Sequence, residues 1–234
     1  LPEQVVADVI SSAFQSAGQR CSALRLLCVQ EDIADKVIKM LKGAMQELNL
    51  GDPIYLSTDI GPVIDSDAQH MLQQHSESMV EQAYLIERLT LPTECAQGSF
   101  IAPQAFELKQ LEQLQQEIFG PILHIVRYRA SELSKLIDKI NNLGYGLTFG
   151  IHSRIDSTIR HVSERMQVGN IYVNRNMIGA VVGVQPFGGQ GLSGTGFKAG
   201  GPNYLYRFAV ERSLSINTTA AGGNASLMSL QESD

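Results

Sequence analysis

Apolar residues recur at helical spacing from the first turn of the chain. The positions that follow this period are Val5, Val6, Val9, Ile10, Ala13 and Phe14. Pro2 stands near the start, where proline is tolerated, so the pattern predicts a helix over about residues 2–17. The same period predicts further helices over about residues 31–48, 66–83, 131–142 and 155–165.

Short runs of β-branched and other apolar residues lie between the predicted helices. They predict strands near residues 23–29, 84–89, 99–104, 121–128, 147–152 and 169–174. A chain in which strands alternate with helices builds βα units around a parallel or mixed sheet. The predicted fold class is therefore α/β, with an open mixed or parallel sheet that is flanked by helices.

The C-terminal part of the chain has a different composition. Glycine is too frequent over residues 183–202 for regular structure, and a short helix and a strand near residues 210–216 (VERSLSI) follow it. We therefore divide the chain into a domain over residues 1–200, a terminal helix and strand over 201–218, and a tail over 219–234. An exposed terminal strand pairs readily with another chain, so we expect a homo-oligomer.

Composition and charge exclude several classes of function. The chain has 234 residues, of which 44% are hydrophobic, and its formal net charge of -6 disfavours nonspecific nucleic-acid binding. No apolar run approaches the roughly 20 residues of a membrane span, and no basic segment begins the chain as in a signal peptide. The cysteine spacing matches neither a disulfide framework nor a zinc pattern. We expect a soluble cytoplasmic protein without a metal site.

The cysteines stand in different surroundings. Cys28 lies in an apolar strand, where a thiol is buried and inert, and Cys95 lies in a loop-like segment that predicts a surface thiol. Cys21 follows a helix and stands between Arg20 and Ser22. A nearby cation and backbone N–H groups lower the pKa of a thiol, and the thiolate is the nucleophile. Cys21 is therefore the candidate nucleophile, with Arg20 as a local electrostatic or structural contributor.

Three other kinds of site find little support in the sequence. A cysteine hydrolase needs a histidine that an Asn or Asp orients, and nothing near His124 or His152 in their apolar strands provides one. His70 and His75 share a helix at a spacing that predicts a solvated surface rather than a pair of ligands. The glycines of residues 189–194 satisfy G-x-G-x-x-G, but they lead into no apolar helical period, which predicts a loop and not a dinucleotide fingerprint.

Four longer segments occur in order along the chain. They are GQRCSALR at residues 18–25, EIFGP at 117–121, QVGNIYVNR at 167–175 and PFGGQGLSGTG at 186–196. Together they resemble the signature segments of the aldehyde dehydrogenase superfamily. Within it, GAVVGVQPFGG at residues 179–189 and NTTAAGGNASL at 217–227 resemble the 1-pyrroline-5-carboxylate dehydrogenase branch. They are most similar to the dehydrogenase module of bacterial proline utilization A proteins, which join it to a proline dehydrogenase.

The resemblance implies a mechanism and a cofactor. The thiolate of Cys21 would attack the aldehyde carbon, a hydride would pass to NAD, and water would then release glutamate from a thioester. The backbone N–H of Cys21 would hold part of the oxyanion charge. Glu117 resembles the glutamate that accepts hydrogen bonds from the nicotinamide ribose hydroxyls. Phe119 resembles the aromatic residue that packs against the nicotinamide end of the cofactor.

The resemblance also implies residues that hold the substrate. Ser22, Gly179 and Ala180 resemble the anchor of the substrate's α-carboxylate, which uses one hydroxyl and the backbone N–H groups of a tight loop. Phe187 resembles the aromatic residue that lines the aliphatic stem of the aldehyde. Glycine permits the close backbone approach that such an anchor needs.

The first residues begin a helix directly, so we expect the chain to enter the middle of a larger fold. In the family that it resembles, an N-terminal half carries the cofactor-binding domain, the general-base glutamate and the oxyanion asparagine. We therefore expect the isolated chain to bind NAD weakly and to lack turnover. The expected partners are that half, a small aldehyde and a proline dehydrogenase module. Two alternatives stay open: a non-catalytic remnant or assembly module of an aldehyde dehydrogenase, and a dehydrogenase of another small aldehyde.

Overall fold

A four-stranded sheet supports the larger part of the fold in the computed structural model, which describes residues 1–194 and 196–217. Its strands are β1 (Leu26–Gln30), β2 (Tyr84–Arg88), β3 (Gln104–Glu107) and β4 (Ile122–Tyr128). They lie in the order β1–β4–β3–β2. β4 pairs in parallel with both β1 and β3, whereas β2 is antiparallel to β3. The predicted α/β class with a mixed sheet is confirmed.

Amphipathic helices close the main hydrophobic core of the protein against this sheet. They are α1 (Pro2–Phe14), α2 (Glu31–Gln46) and α3 (Ser66–Gln82). In α2, Val37, Leu41 and Met45 are buried at a spacing of four, which places them on one face. α3 begins after Asp65, whose carboxylate accepts a hydrogen bond from the Ala68 amide at 2.8 Å. None of the described helices is both long and apolar enough to cross a membrane.

The part of the chain after β4 contains a second, smaller hydrophobic core. The helices and strands of this part are α4 (Leu133–Asn142), β5 (Tyr145–Gly146), β6 (Thr148–Ile151), α5 (Asp156–Arg165), β7 (Asn170–Val173) and β8 (Gln190–Gly191). β6 and β7 pair in parallel, and β5 and β8 pair antiparallel. The side chains of Ile137, Ile151, Val162 and Met166 are buried together in this core. The residues that the structure describes therefore form two hydrophobic cores rather than one continuous core.

Two strand boundaries differ from the prediction. β1 begins at Leu26 and not near residue 23, because the preceding residues form a turn in which the Ala23 amide donates to the Arg20 carbonyl at 3.1 Å. β3 begins at Gln104 and not near residue 99, and the residue before it, Pro103, has no N–H to give to a ladder. Both shifts leave the order of the elements unchanged.

The strand predicted over residues 210–216 does not form in the described part of the single chain, so that prediction is wrong here. The short helix before it is present as a 3-10 helix at Tyr204–Phe208. Val210 and Leu214 are exposed, because no described strand lies beside this segment to pair with it. The predicted tail over residues 219–234 lies outside the described residues. The domain boundaries stay a prediction.

Two histidines meet inside the fold, which corrects the interpretation of His75 as a solvated residue. The Nε2 atoms of His75 and His124 lie 2.8 Å apart, and His124 is fully buried on β4. His124 Nδ1 lies 3.1 Å from the carbonyl oxygen of Arg25, which can only accept. His124 therefore donates from Nδ1 and accepts at Nε2 from His75. Burial lowers the pKa of His124 to about 4, and the neighbouring His75 adds to this shift.

Acid is expected to destabilise the protein in part through His124. In the unfolded chain this group has its ordinary pKa of 6.5, so the unfolded chain binds a proton at a higher pH than the folded chain does. The stability that depends on neutral His124 is complete above pH 6.5 and is lost as the pH falls towards 4. We expect His124→Gln to reduce the loss of unfolding free energy between about pH 7 and 4.5 by roughly 2 kcal/mol, measured by urea unfolding.

His70→Gln is the matched control for this experiment, because His70 is exposed on the same helix as His75. The unfolding free energy of this variant should depend on pH in the same way as that of the unmodified protein, because the carboxylates contribute equally in both. The same pH dependence in the His124 variant would contradict the assignment of a buried neutral histidine.

Candidate active site

A turn with left-handed backbone leads the chain from α1 to Cys21. A 3-10 helix at Gln15–Gly18 follows α1, and φ is 57° at Ser16, 53° at Ala17 and 65° at Gly18. A side chain at positive φ costs free energy, and glycine alone adopts this conformation freely. Strained backbone of this kind clusters at functional sites, where the surrounding structure holds it in place. The turn leaves Cys21 exposed.

The backbone at Cys21 offers free hydrogen-bond donors. The N–H groups of Cys21 and Ser22 donate to no acceptor within the part of the chain that the structure describes. Ser22 is buried, and its carbonyl oxygen accepts a hydrogen bond from Thr148 Oγ1 at 3.4 Å. The turn is thus tied to β6 through Ser22, while the N–H groups beside the thiol remain able to hold a negatively charged oxygen.

The Cys21 turn meets the turn of residues 117–121 at two glycines. A Cβ added to Gly18 would overlap the carbonyl oxygen of Gly120, so the two backbones approach each other without room for a side chain. A Cβ added to Gly120 would in turn overlap the side chain of Leu72 on α3. The absence of side chains at these two positions therefore brings two segments that are distant in sequence into direct contact.

Arg25 spans both turns. Its guanidinium donates hydrogen bonds to the carbonyl oxygens of Gly18 and, at 3.0 Å, of Arg20 on the Cys21 side. It also donates to the carbonyl oxygen of Gly120 at 3.3 Å on the other side. No sequence signal apart from its place at the end of GQRCSALR indicates this role, because the acceptors are backbone atoms that any residue carries.

Glu117 and Phe119 flank the same guanidinium. Arg25 Nε lies 3.5 Å from Glu117 Oε1, and the guanidinium carbon lies 4.7 Å from the centre of the Phe119 ring. The first contact is an ion pair and the second is a cation–π contact. Burial lowers the pKa of Arg25, and the charge of Glu117 opposes that shift. The side chain of Glu117 and the residue Phe119 each remain 38% exposed, so both stay accessible to a ligand.

A groove of about 640 Å³ brings three of the predicted site residues together. Cys21, Glu117 and Phe119 line it, together with Arg25, and the whole of β1 forms part of its wall. The candidate nucleophile and the two predicted cofactor residues therefore face one space, although they come from two separate segments of the chain.

The predicted substrate residues do not line this groove. Ser22 is buried behind the Cys21 turn, and Gly179, Ala180 and Phe187 belong to a later loop. Gly179 has a φ of 72°, and its carbonyl oxygen lies 3.5 Å from Nη2 of Arg175, which does line the groove. The loop is therefore connected to the groove through Arg175, and the substrate roles stay a prediction.

The other two thiols differ from Cys21. Cys28 is half-buried on β1 and lines the groove, so it is less buried than predicted. Burial still raises the pKa of its thiol to about 12, which favours the uncharged, unreactive form. The prediction of a surface thiol at Cys95 is wrong, because residues 93–97 form a 3-10 helix that turns this side chain inward and leaves it 3% exposed. Burial and the charge of Glu94 raise the pKa of Cys95. Of these thiols, the one at Cys21 is exposed.

His152 has a carboxylate neighbour that the local sequence does not reveal. Its Nε2 atom lies 3.5 Å from Oδ2 of Asp8 on α1, and both residues line the groove. Burial lowers the pKa of His152, and the charge of Asp8 opposes the shift. Cys21 forms no hydrogen bond with a histidine among residues 1–194 and 196–217. The Cys–His pair of a cysteine hydrolase is thus not formed by these residues.

The glycine-rich segment of residues 189–194 forms no dinucleotide fingerprint. Gly191 lies on β8, which pairs with β5, and the Gly194 amide donates to its carbonyl oxygen at 3.0 Å in a turn. The segment is therefore a loop, as predicted, and not the strand-to-helix turn of a dinucleotide fingerprint.

Among the described residues, no group of three or more His, Cys, Asp or Glu side chains is placed to hold a metal ion.

Comparisons with known proteins concern the family and the fold of the chain. A profile of the aldehyde dehydrogenase family matches residues 2–213. The bifunctional protein PutA of Escherichia coli (strain K12) is 56% identical over 217 residues, which are 91% of this chain and 16% of that protein. A mutant of Bradyrhizobium japonicum proline utilization A (PutA) has a TM-score of 0.87 at 58% identity, over 94% of this chain and 22% of that chain. A 1-pyrroline-5-carboxylate dehydrogenase from Thermus with bound NAD has a TM-score of 0.79 at 32% identity, over 88% of this chain and 40% of that chain.

The resemblance inferred from the four sequence segments is thereby confirmed. The chain spans less than half of each of these relatives, 40% at most. The similarity therefore applies to one part of a longer protein in each case.

The contact between the two turns predicts opposite effects for two glycine substitutions. We expect Gly18→Ala to lower the free energy of unfolding by roughly 2 kcal/mol or more, because its Cβ meets the Gly120 carbonyl at a positive φ. Gly43→Ala is the matched control, since an added Cβ in the middle of α2 has nothing within 4 Å, and it should stabilise the protein by up to about 1 kcal/mol. Urea unfolding of both variants checks this, and equal effects would contradict the close approach.

Proposed function

Because the chain belongs to the aldehyde dehydrogenase family, we propose that it supplies the cysteine-bearing part of an NAD-dependent L-glutamate γ-semialdehyde (1-pyrroline-5-carboxylate) dehydrogenase. The names of the relatives, PutA and 1-pyrroline-5-carboxylate dehydrogenase, support this substrate and a place in proline catabolism. The observation that carries the proposal is the exposed thiol of Cys21 in a groove that it shares with Glu117 and Phe119.

Cys21 is proposed to act by nucleophilic catalysis. Its thiolate attacks the aldehyde carbon and forms a C–S bond, and the carbonyl oxygen becomes an alkoxide near the free N–H groups of Cys21 and Ser22. Loss of a hydride from the same carbon converts this adduct into a thioester on Cys21. Water then attacks the thioester and breaks the C–S bond, which releases the carboxylate of glutamate and returns the thiol. NAD, when bound, supplies the acceptor for the hydride.

Glu117 and Phe119 fit the role of cofactor-binding residues. Glu117 Oε1 lies 3.5 Å from Arg25 Nε, which is too long for a strong hydrogen bond, and its side chain is 38% exposed. The carboxylate therefore keeps acceptor capacity for the two hydroxyls of a ribose. Phe119 offers a partly exposed aromatic surface beside it. The Thermus relative with bound NAD supports the choice of cofactor.

The substrate's α-carboxylate is assigned to Ser22 and to the loop of Gly179 and Ala180. A Cβ added to Gly179 would meet nothing within 4 Å, so its backbone is open to a ligand, and its φ of 72° turns the loop sharply. Successive backbone N–H groups in such a loop form a concave site for an anion. Phe187, in the same loop, is assigned to contact the aliphatic stem of the aldehyde.

Turnover is proposed to need a second segment of protein. The chain spans 40% of the Thermus dehydrogenase, so the general base, an oxyanion side chain and most of the cofactor site are assigned to a cofactor-binding half. A proline dehydrogenase module is a further proposed partner, because the Escherichia coli relative is named bifunctional. The exposed apolar side chains of Leu205, Val210 and Leu214 support assembly into a homo-oligomer.

Loss of the Cys21 thiol is the decisive test of this proposal. We expect Cys21→Ala, co-expressed with a cognate cofactor-binding half, to slow NADH formation from glutamate γ-semialdehyde by at least about a thousandfold, because the covalent step is lost. The rate is followed by NADH absorbance. Cys28→Ala is the matched control and should retain the rate, since burial keeps that thiol protonated. A Cys21→Ala enzyme that turns over at the parent rate would refute the proposal.

Glu117→Gln tests the cofactor assignment separately. The amide loses one of the two acceptor oxygens, so we expect the KM for NAD of the co-expressed enzyme to rise about tenfold, with the KM for the aldehyde nearly unchanged. Glu112→Gln is the matched control, because Glu112 pairs with Lys139 at 2.7 Å and does not line the groove. An equal KM for NAD in both variants would contradict the assignment of Glu117 to the cofactor site.

A further inference from the structure

We propose that Arg25 is the positioning residue of the site, which fixes the Cys21 turn against the turn of Glu117 and favours the Cys21 thiolate. The proposal rests on the proposed function only in taking Cys21 as the nucleophile. Arg25 acts through the backbone that it holds and the charge that it carries, and it need not touch the substrate.

The geometry of a guanidinium explains how one side chain joins two segments. Arg25 donates to the carbonyl oxygens of Gly18 and Arg20, which precede Cys21, and to that of Gly120, which follows Glu117. A guanidinium holds five N–H groups in a fixed plane and serves several acceptors at once, whereas the ammonium of a lysine is a compact point charge. Any movement of the Cys21 turn relative to the Glu117 turn would therefore break at least one of these hydrogen bonds.

The charge of Arg25 also acts on the thiol. Burial lowers the pKa of Arg25, and an electrostatic interaction with Cys21 opposes that shift, so the two side chains lie close enough to interact. Arg20 is adjacent to Cys21 in sequence, but its Nε donates to Ser16 Oγ at 3.0 Å in an exposed position. A partly buried charge is screened less by solvent and salt than an exposed one. Arg25, four positions away, is therefore expected to affect the thiol more than Arg20, its direct neighbour.

Arg25 is itself held in an unusual way. His124 Nδ1 donates to its backbone carbonyl oxygen at 3.1 Å, and the ring of Phe119 covers the guanidinium at 4.7 Å. Its Nε is buried and makes no hydrogen bond within the described residues, although Glu117 Oε1 faces it at 3.5 Å. A buried donor without an acceptor is costly, and such groups call for an explanation. Placement of a cation beside the Cys21 turn explains this cost.

The remaining charged side chains that line the groove have partners elsewhere. Asp8 and His152 face each other at 3.5 Å, and the guanidinium of Arg175 stacks on a tyrosine ring at 4.8 Å. Glu117 is the charged group opposite Arg25, and its negative charge offsets part of the positive one. Of the charged residues that line the groove, we therefore expect Arg25 and Glu117 to affect the thiol most.

Alkylation of the 234-residue chain by iodoacetamide tests the proposal without NAD, aldehyde or turnover. Rate constants at Cys21 are read by mass spectrometry over about pH 6–10 in the unmodified chain, Arg25→Gln, Arg25→Lys and Arg20→Gln. We expect Arg25→Gln to slow alkylation at neutral pH roughly three- to tenfold and to move the whole pH profile upward by about half to one unit. Arg25→Lys keeps the positive charge, so its pH profile should lie close to that of the unmodified chain. Arg20→Gln should shift the profile by less than half as much as Arg25→Gln does.

Cys95 reports on folding in the same samples, because a buried thiol reacts only when the chain opens. Superimposed Cys21 profiles for the unmodified chain and Arg25→Gln, with Cys95 protected, would overturn the proposal. If Arg25→Gln exposes Cys95, the Arg25→Lys variant decides the question. A Cys21 alkylation profile within about 0.3 pH unit of that of the unmodified chain supports the role of the charge. A shift of the profile by about one pH unit, with Cys95 still protected, overturns the proposal. A Cys21 that stays unreactive in the unmodified chain at about pH 10 would instead contradict the proposed nucleophile.

Discussion

The guanidinium of Arg25 reaches a backbone carbonyl that lies 95 residues away in the chain, at Gly120, while it also holds the turn before Cys21. This bridge is possible because Gly18 has no side chain, so the two turns approach closely enough for one residue to serve both. The same guanidinium faces the Glu117 carboxylate and the Phe119 ring. The positions of Glu117 and Phe119 relative to the Cys21 thiol thus depend on the Arg25 guanidinium and on the close backbone contact between Gly18 and Gly120.

The topology of the sheet explains why these turns meet at all. The Cys21 turn lies just before β1, and the turn of residues 117–121 lies just before β4. β1 and β4 are parallel neighbours, with Leu26 opposite His124, so the amino ends of both strands lie at the same edge of the sheet. The turns that lead into them are therefore brought together by strand pairing. The hydrogen bond from His124 to the Arg25 carbonyl strengthens this junction at its inner side.

The sequence was informative wherever a property depends on neighbours along the chain. Helical periods located α1 to α5 closely, and two local motifs named Cys21, Glu117 and Phe119, which the fold places around one groove. It was uninformative where a property depends on distant partners. The His75–His124 contact joins a helix to a strand, and Arg25 binds carbonyl oxygens, which carry no sequence signature. The terminal segment has the pattern of a strand, but a strand forms only beside a partner, which the described single chain does not provide.

The late start of β1 has a chemical consequence. Had the strand begun near residue 23, as its apolar pattern predicts, the preceding N–H groups would have been drawn towards the ladder and the thiol towards the sheet. Instead the Ala23 amide closes a turn on the Arg20 carbonyl, and the N–H groups of Cys21 and Ser22 stay free of acceptors among the described residues. Inside the strand, burial raises the pKa of Cys28 to about 12, which makes its thiol a poor nucleophile. The boundary between turn and strand thus separates the exposed thiol of Cys21 from the half-buried thiol of Cys28, and a local departure from the predicted pattern is typical of functional sites.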